Sequence, residues 1–347
     1  MSLPPIDRAD LDEILFATEA LWAEMRGQRI FLTGGTGFFG CWLIESFLHA
    51  NRALGLGAHL TVLTRSPETF GRKCPHITGV PALSLLRGDV RTFEFLHGEY
   101  PFVIHAATEA SARQAAEEPL EMLSTIVDGT RRVLDFAATH GTRKLLLTSS
   151  GAVYGPQPRE LLHLPEDYAA GPNPLDPASV YGEGKRVAEH LCALHAQTTS
   201  IEYKIARAFA FLGPHLPLDS HFAAGNFLAD ALAGRDIEIA SDGTGVRSYL
   251  YASDLAIWLW TMLFRAPSLR AYNVGSELDV DIRALGEAVA ANVNPSGSVR
   301  VAKTPDSSML PPRYVPSTAR AQKELGLRQM VSLEEALRRT AAWHRLK

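Results

Sequence analysis

Tyr181 and Lys185 stand four residues apart in Tyr181-Gly182-Glu183-Gly184-Lys185. On a helix that interval places a phenol and an ammonium on one face. A free tyrosine titrates near 10, so its use as a base at neutral pH requires roughly 4 kcal/mol of preferential phenolate stabilisation. A neighbouring lysine and a positively charged cofactor ring supply that kind of stabilisation. The same spacing also describes a packed tyrosine beneath a surface lysine, so its meaning depends on the rest of the chain. Upstream, Leu147-Thr148-Ser149-Ser150-Gly151-Ala152-Val153-Tyr154-Gly155 begins in a predicted buried strand. The carboxyl ends of such strands are where α/β sheets bind ligands. Ser149 or Ser150 there can hold a reacting hydroxyl, or can simply cap the turn.

A third segment, Thr33-Gly34-Gly35-Thr36-Gly37-Phe38-Phe39-Gly40, follows a predicted strand and opens a helix. Gly34, Gly37 and Gly40 have the spacing for a tight turn, close backbone approach to a pyrophosphate, and close helix-to-strand packing. The phosphates would sit on the free N–H groups of the helix N-terminus, where the dipole also favours negative charge. A glycine-rich turn without a ligand is the plain alternative. An acid about 20 residues past the glycines would hold the ribose of NAD, but the second strand ends in Thr64-Arg65. Arg65 suits the 2′-phosphate of NADP or is a solvated surface residue. NADP is therefore expected ahead of NAD.

These segments need rigid elements to position them. From Arg29 onward, short apolar runs (Arg29 to Thr33, His59 to Thr64, Phe102 to His105, Lys144 to Thr148, Glu202 to Ile205) alternate with helical stretches such as Pro119 to His140 and Val180 to His195. That alternation predicts an α/β fold, a Rossmann-type doubly wound parallel sheet. Past Phe211 the chain turns to loops, helices at Gly225 to Ala233 and Ala252 to Phe264, and a strand at Tyr272 to Val274 that can return to the sheet. We expect residues 28–210 plus 245–276 to form the dinucleotide-binding domain, and 211–244 with 277–347 a smaller, interleaved C-terminal substrate lobe. Residues 1–27 should carry an amphipathic helix from Asp7 to Met25, its apolar side facing the body and Asp10, Asp12, Glu13 and Glu24 elsewhere. Ser332 with Glu335 reads as a capping box opening the last helix.

Composition limits the classes of function. The 347 residues are 46% hydrophobic and 21% charged, with a net charge of −4. This is an ordinary globular chain with no overall field for nucleic acid or an anionic membrane. The apolar run Leu255 to Phe264 is about half of the ~20 residues a bilayer span needs. Cys41, Cys74 and Cys192 form neither a CxxC pair nor a disulfide framework, which points to a reducing cytoplasm. The 12 histidines show no zinc-type spacing, so no metal is expected and His76, His97, His215 and His221 should be surface or packing residues. His215 and His221 do fall near the expected sugar pocket.

The ordered series Thr33-Gly34-x-x-Gly37-x-x-Gly40, Asp89, His105-Ala106-Ala107, Ser149-Ser150-x-x-Val153-Tyr154-Gly155 and Tyr181-x-x-x-Lys185 resembles the extended short-chain dehydrogenase/reductase family of NAD(P)-dependent nucleotide-sugar epimerases and dehydratases. The likeness continues through Arg207, Gly213-Pro214, Gly225-Asn226-Phe227, Asp242-Gly243-Thr244 with Arg247, Asp254, Asn273-Val274-Gly275 and Leu325-Gly326. It implies Ser150, Tyr181 and Lys185 as the catalytic trio. It implies cofactor contacts from Gly34, Thr36, Gly37, Phe38, Phe39, Gly40, Arg65, Asp89 (at the adenine), Val90, Ala106 and Ala107, with Tyr181 and Lys185 at the nicotinamide end. Ser150, Asn226, Arg247 and Arg313 would hold a nucleoside-diphosphate sugar, and the family likeness suggests a homodimer.

Two departures shape the expected reaction. Family dehydratases resemble Ser-Thr-Asp-Glu-Val-Tyr-Gly at the serine segment, whereas this chain has Gly151 and Ala152, which cannot move a proton. A dehydratase would need a substitute such as Glu160, Glu166 or Asp167. Ala210 also replaces the family's common asparagine after Arg207. The expected activity is epimerisation through transient oxidation at sugar C4, with an NADPH-dependent 4-ketoreductase as the alternative. A non-catalytic dinucleotide sensor is the reading from a different class.

Overall fold

Alternation along the strands sorts the apolar side chains into two cores, one on each face of a parallel sheet. In β1 (Arg29–Thr33), Ile30 and Leu32 join one core and Phe31 joins the other; in β5 (Lys144–Ser150), Leu146 faces opposite to Leu145 and Leu147. The computed structural model describes residues 2–107, 112–219, 222–306 and 308–347. With β2 (His59–Thr64), β3 (Leu83–Arg87), β4 (Phe102–His105) and β6 (Glu202–Ala208), the sheet runs β3-β2-β1-β4-β5-β6 and ends on the strand Ala271–Val274, seven strands in all. Every pairing is parallel. The order reverses between β1 and β4, and the crevice at such a switch point is where doubly wound sheets bind dinucleotides.

The helices Pro119–Thr139 and Val180–His195 contribute Ile126, Val133, Phe136, Ala188 and Cys192 to one core. The helices Phe38–Ala53 and Ala252–Arg265 cover the other face. β5 and β6 extend two and three residues beyond the runs legible in the sequence. The register carries them on, through Ser149 opposite Arg207 and Ser150 opposite Ala208. Polar residues that end a buried strand give no apolar signal, although here they carry the chemistry.

The N-terminal segment differs from a single helix. It is an α-helix over Arg8–Thr18 followed by a 3₁₀ helix over Glu19–Met25. In a 3₁₀ helix residues i and i+3 eclipse, which lets Trp22 and Met25 both face the core, with the Trp22 ring tilted against Trp260 at 4.7 Å between centroids. Asp10 is not on a solvent face: it is buried, accepts the Tyr251 hydroxyl at 2.7 Å and pairs with Arg339. The last helix, Leu333–His344, has half of its capping box. Ser332 accepts the Glu335 N–H at 3.3 Å, while the Glu335 carboxylate pairs with Arg338 and Arg339.

Among the described residues three small sheets lie outside the main one: Phe211–Leu212 with Leu250–Tyr251, Ile237–Ile239 with Val299–Val301, and a three-stranded sheet in which Val246–Ser248 lies between Asp279–Asp281 and Arg313–Tyr314. Among the described residues no helix is long and apolar enough to cross a membrane.

Candidate active site

The glycine turn leaves β1 and enters the helix Phe38–Ala53. Gly34 has φ of +73°, and a Cβ there would lie 2.3 Å from the Ala106 carbonyl oxygen, so the turn is pressed against the end of β4. A Cβ on Gly40 would collide with the Gly35 backbone at 2.3 Å, which fixes how closely the helix approaches. At Gly37, by contrast, a Cβ would meet only the Gly34 carbonyl oxygen, at 3.5 Å. The helix it caps has no side-chain cap and no acid in its first turn. Uncapped N–H groups, a favourable dipole and open space above Gly37 fit a pyrophosphate. Thr36 is exposed and Phe38 and Phe39 are half-buried around this opening.

Behind the turn, the Thr33 hydroxyl meets His105 Nδ1 at 2.7 Å and accepts the Ala107 N–H at 3.2 Å, and His105 Nε2 meets Thr130 at 3.0 Å. Burial, with the Lys185 charge nearby, pushes His105 down to about 3. It therefore stays neutral and ties β1, β4 and the helix Pro119–Thr139 together.

At the end of β5 the three expected catalytic side chains converge. Ser150, the last strand residue, accepts the Ala152 N–H at 3.1 Å and is hydrogen-bonded to Tyr181. Lys185 is buried, donates to the Thr148 carbonyl at 2.8 Å, and has its Nζ 5.9 Å from the Tyr181 ring centre. Gly182 is what permits this approach, because a Cβ there would lie 2.6 Å from the Ala152 carbonyl oxygen. Burial raises the Tyr181 phenol, and the Ser150 hydrogen bond partly offsets it. Burial also brings Lys185 down to about 7, opposed by the charge of Glu189 one turn further on. Glu189 accepts the Ser149 hydroxyl at 2.5 Å and is clasped by Arg207 at 2.7 and 3.0 Å. Arg207 therefore belongs to the scaffold.

A residue that carries no motif in the sequence completes the cluster. Tyr314 is hydrogen-bonded to Ser150, and its hydroxyl lies 2.6 Å from where a Cβ on Gly151 would stand. Its strand pairs with Val246–Ser248 so that Tyr314 is opposite Arg247 and Arg313 is opposite Val246. Alternation puts Tyr314 and Arg247 on one face and Arg313 on the other. Arg247 is half-buried and close enough to Tyr314 to favour its ionised form.

Arg313, which the family likeness places at the substrate, pairs with Asp279, donates to the Leu162 carbonyl at 3.2 Å, and lies on the face opposite to Tyr314. Asn226 is exposed on the first turn of the helix Ala223–Leu232. At the cofactor's far end, Arg65 is exposed at the tip of β2. Asp89 is held down to about 2, chiefly by Arg91, whose guanidinium it accepts at 2.8 and 2.9 Å. Val90 is buried against Gly129.

Of the substitute acids for a dehydratase, Glu160 and Asp167 are exposed and Glu166 is committed to structural contacts. Glu166 lies in the Arg207–Tyr154–Asn273 network, where it accepts the Asn273 N–H at 3.0 Å and faces Arg320 at 3.8 Å. The His215 side chain is buried between Glu45 and Trp343. His221 lies outside the described residues.

A seven-stranded parallel sheet in this order, with a glycine turn at its switch point, defines a dinucleotide-binding α/β protein. The chain belongs to the NAD dependent epimerase/dehydratase family, whose profile matches residues 30–275. It is 33% identical over 311 residues to UDP-glucuronic acid decarboxylase 3 of Arabidopsis thaliana, covering 89% of this chain and 86% of the relative. It is 29% identical over 323 residues to UDP-glucuronic acid decarboxylase 1 of Xenopus tropicalis, covering 93% and 73%. In fold it is similar to the Thermus thermophilus UDP-glucose 4-epimerase solved with NAD, at 24% identity and a TM-score of 0.74, with 92% of this chain and 99% of that chain covered. The relatives are NAD-dependent nucleotide-sugar enzymes, and the chain is an enzyme of that family.

Proposed function

We propose that this protein oxidises and then re-reduces C4 of a nucleoside-diphosphate sugar, and that its substrate is a UDP-hexuronate that loses its carboxylate. The observation that carries this reading is the convergence of Ser150, Tyr181 and Lys185 at the end of β5, with Lys185 Nζ 5.9 Å from the Tyr181 ring centre and on the same helix face.

Tyr181 Oη takes the proton of the C4 hydroxyl, Ser150 holds the same oxygen, and the Lys185 charge favours the phenolate. The glycine turn and Lys185 would hold a nicotinamide dinucleotide, which when bound takes up and returns a hydride at C4. With C4 a ketone, a carboxylate on C5 is β to it. The C5–carboxylate bond breaks, CO₂ leaves, and the electron pair passes into the C4 carbonyl; C5 then gains a proton from water, and Tyr181 returns its proton to the C4 oxygen on reduction. This sequence needs no base at C5. A dehydratase must remove the C5 proton, and positions 151 and 152 offer Gly and Ala. The relatives named as UDP-glucuronic acid decarboxylases support the hexuronate.

The same lack of acids supports C4 epimerisation, the activity expected from the sequence, as the second reading. Mass spectrometry of products from UDP-glucuronate and, separately, from UDP-glucose with NAD distinguishes the two. Decarboxylation shows as loss of CO₂; epimerisation gives a new isomer of equal mass. Consumption of NADPH with a 4-keto sugar nucleotide, and with neither of these, would favour a ketoreductase and overturn both.

Arg65 leaves NADP open beside the NAD of the family. A homodimer would use the helices Pro119–Thr139 and Val180–His195, which leave Leu120, Val187 and Leu194 exposed. Light scattering during gel filtration tests this.

A further inference from the structure

Away from the proposed active-site cluster, three segments distant in sequence bring soft metal ligands together. Cys41 lies on the first turn of the helix Phe38–Ala53, Cys74 ends the helix Pro67–Lys73, and His215 follows Gly213-Pro214. Both cysteines are buried free thiols, and the His215 side chain is 3% exposed. The two Sγ atoms and a ring nitrogen of His215 all lie within 4.8 Å of one another.

The histidine gives the second observation. His215 Nε2 meets the buried carboxylate of Glu45 at 3.3 Å, one helical turn beyond Cys41, while its Nδ1 is buried with no hydrogen-bond partner. An imidazole with one nitrogen on a carboxylate and the other orphaned has the arrangement of a metal ligand with its orienting partner. An orphaned buried nitrogen is otherwise unfavourable, since it has given up its hydrogen bond to water. His215 also holds a left-handed φ of 69°, which only one other non-glycine residue shares among those described. Glu45 is itself fixed, accepting the Ile6 N–H at 2.9 Å and meeting His76 at 3.2 Å.

We infer that Cys41, Cys74 and His215 form a buried site for a borderline-soft divalent cation of the Zn²⁺ class, oriented by Glu45. Two thiolates and an imidazole select such an ion over Mg²⁺ or Ca²⁺. Bonds of about 2.3 Å to sulfur and about 2.0 Å to nitrogen would need the ligands to close by roughly an ångström. Both thiols lose their protons on binding, so their charge balances the cation's. All three ligand side chains are buried, and the fourth position of a tetrahedral ion would fall to a water molecule. It would staple the helix that carries the cofactor turn to the loop after Gly213, a seam where Trp42 Nε1 already donates to the Pro214 carbonyl at 2.9 Å.

The test is metal analysis of full-length protein, kept reduced and purified without chelators or immobilised metal from cells given zinc. About one zinc per chain is expected, lost in Cys41→Ser/Cys74→Ser and retained in Cys192→Ser. Should the double variant not fold, the wild type decides alone. Metal-free protein titrated with Co²⁺ should develop thiolate-to-cobalt charge-transfer absorption, and zinc should raise its Tm. Reduced wild type that holds no zinc and gives no such absorption overturns the proposal. So does a Cys41–Cys74 disulfide in freshly isolated protein, seen as the loss of two hydrogens in the intact mass.

Discussion

Tyr314 and Tyr181 share one partner, the hydroxyl of Ser150. Tyr314 reaches Ser150 from a strand in the second half of the chain and stands where a side chain at position 151 would project. Removing its hydroxyl should therefore loosen Ser150 without disturbing the glycine turn. Tyr314→Phe is expected to lower kcat about tenfold, the equivalent of one hydrogen bond of ~1.4 kcal/mol, with cofactor affinity unchanged by fluorescence titration. An unchanged kcat would make Tyr314 a packing residue only.

Tyr181→Phe asks more of the site, because it removes the group that moves the proton. Turnover should fall by about 10²- to 10⁴-fold, while Tm and dinucleotide affinity stay close to those of the parent. Full activity with the correct sugar nucleotide would eliminate Tyr181 as the base.

Lys185 gives a pH dependence whose sign follows from its burial. Its ammonium is pushed down to about 7 while the Tyr181 phenol is raised. Below that pH both groups hold their protons and no base is present. Above it one proton has left the pair, and the phenolate–ammonium arrangement has the same proton count as phenol–amine. For the free enzyme, kcat/KM in the direction of alcohol oxidation should rise with pH through neutrality. In Lys185→Met the rise should move to higher pH, since the phenol then titrates alone. Coincident wild-type and variant profiles would contradict this coupling.

How much of the site was legible depended on how local each signal was. The glycine turn and the Tyr181–Lys185 pair are contiguous segments, and β1, β2 and β4 appeared as apolar runs because both faces of the sheet are covered. Ser149 and Ser150 were visible as residues but not as strand, since pairing with β6 alone keeps them extended. Tyr314 had no sequence signal, because its position depends on a register between strands far apart in the chain. Arg313, one residue earlier and placed at the substrate by the family likeness, lies on the opposite face, where a period of two puts it. The Cys41, Cys74 and His215 cluster was missed for the same reason: spacing rules find metal sites only where the ligands are close in sequence.

Arg65 should decide between the two dinucleotides. It is exposed just past the tip of β2, near enough to Asp89 to favour that carboxylate's ionised form. Arg65→Ala is expected to weaken NADP binding about tenfold through loss of a charge-assisted contact, leaving NAD within about twofold. Equal effects on both cofactors would remove Arg65 from the 2′-phosphate site.

The two arginines of the small sheet should separate in the same assay. Arg247 shares a face with Tyr314 and lies beside the cluster at Ser150, whereas Arg313 pairs with Asp279 on the reverse face. A guanidinium suits a diphosphate, and a contact made equally in ground and transition states changes KM rather than kcat. Arg247→Ala should raise KM for the sugar nucleotide about tenfold or more with a smaller change in kcat. Arg313→Ala should leave KM unchanged and lower Tm by a few degrees, because Asp279 is half-exposed and its pair contributes only about 1 kcal/mol. If instead Arg313→Ala raises KM while Arg247→Ala does not, the substrate approaches the small sheet from the other side. In that case Ser150 and Tyr181 could not reach the C4 hydroxyl of a sugar whose diphosphate was held there.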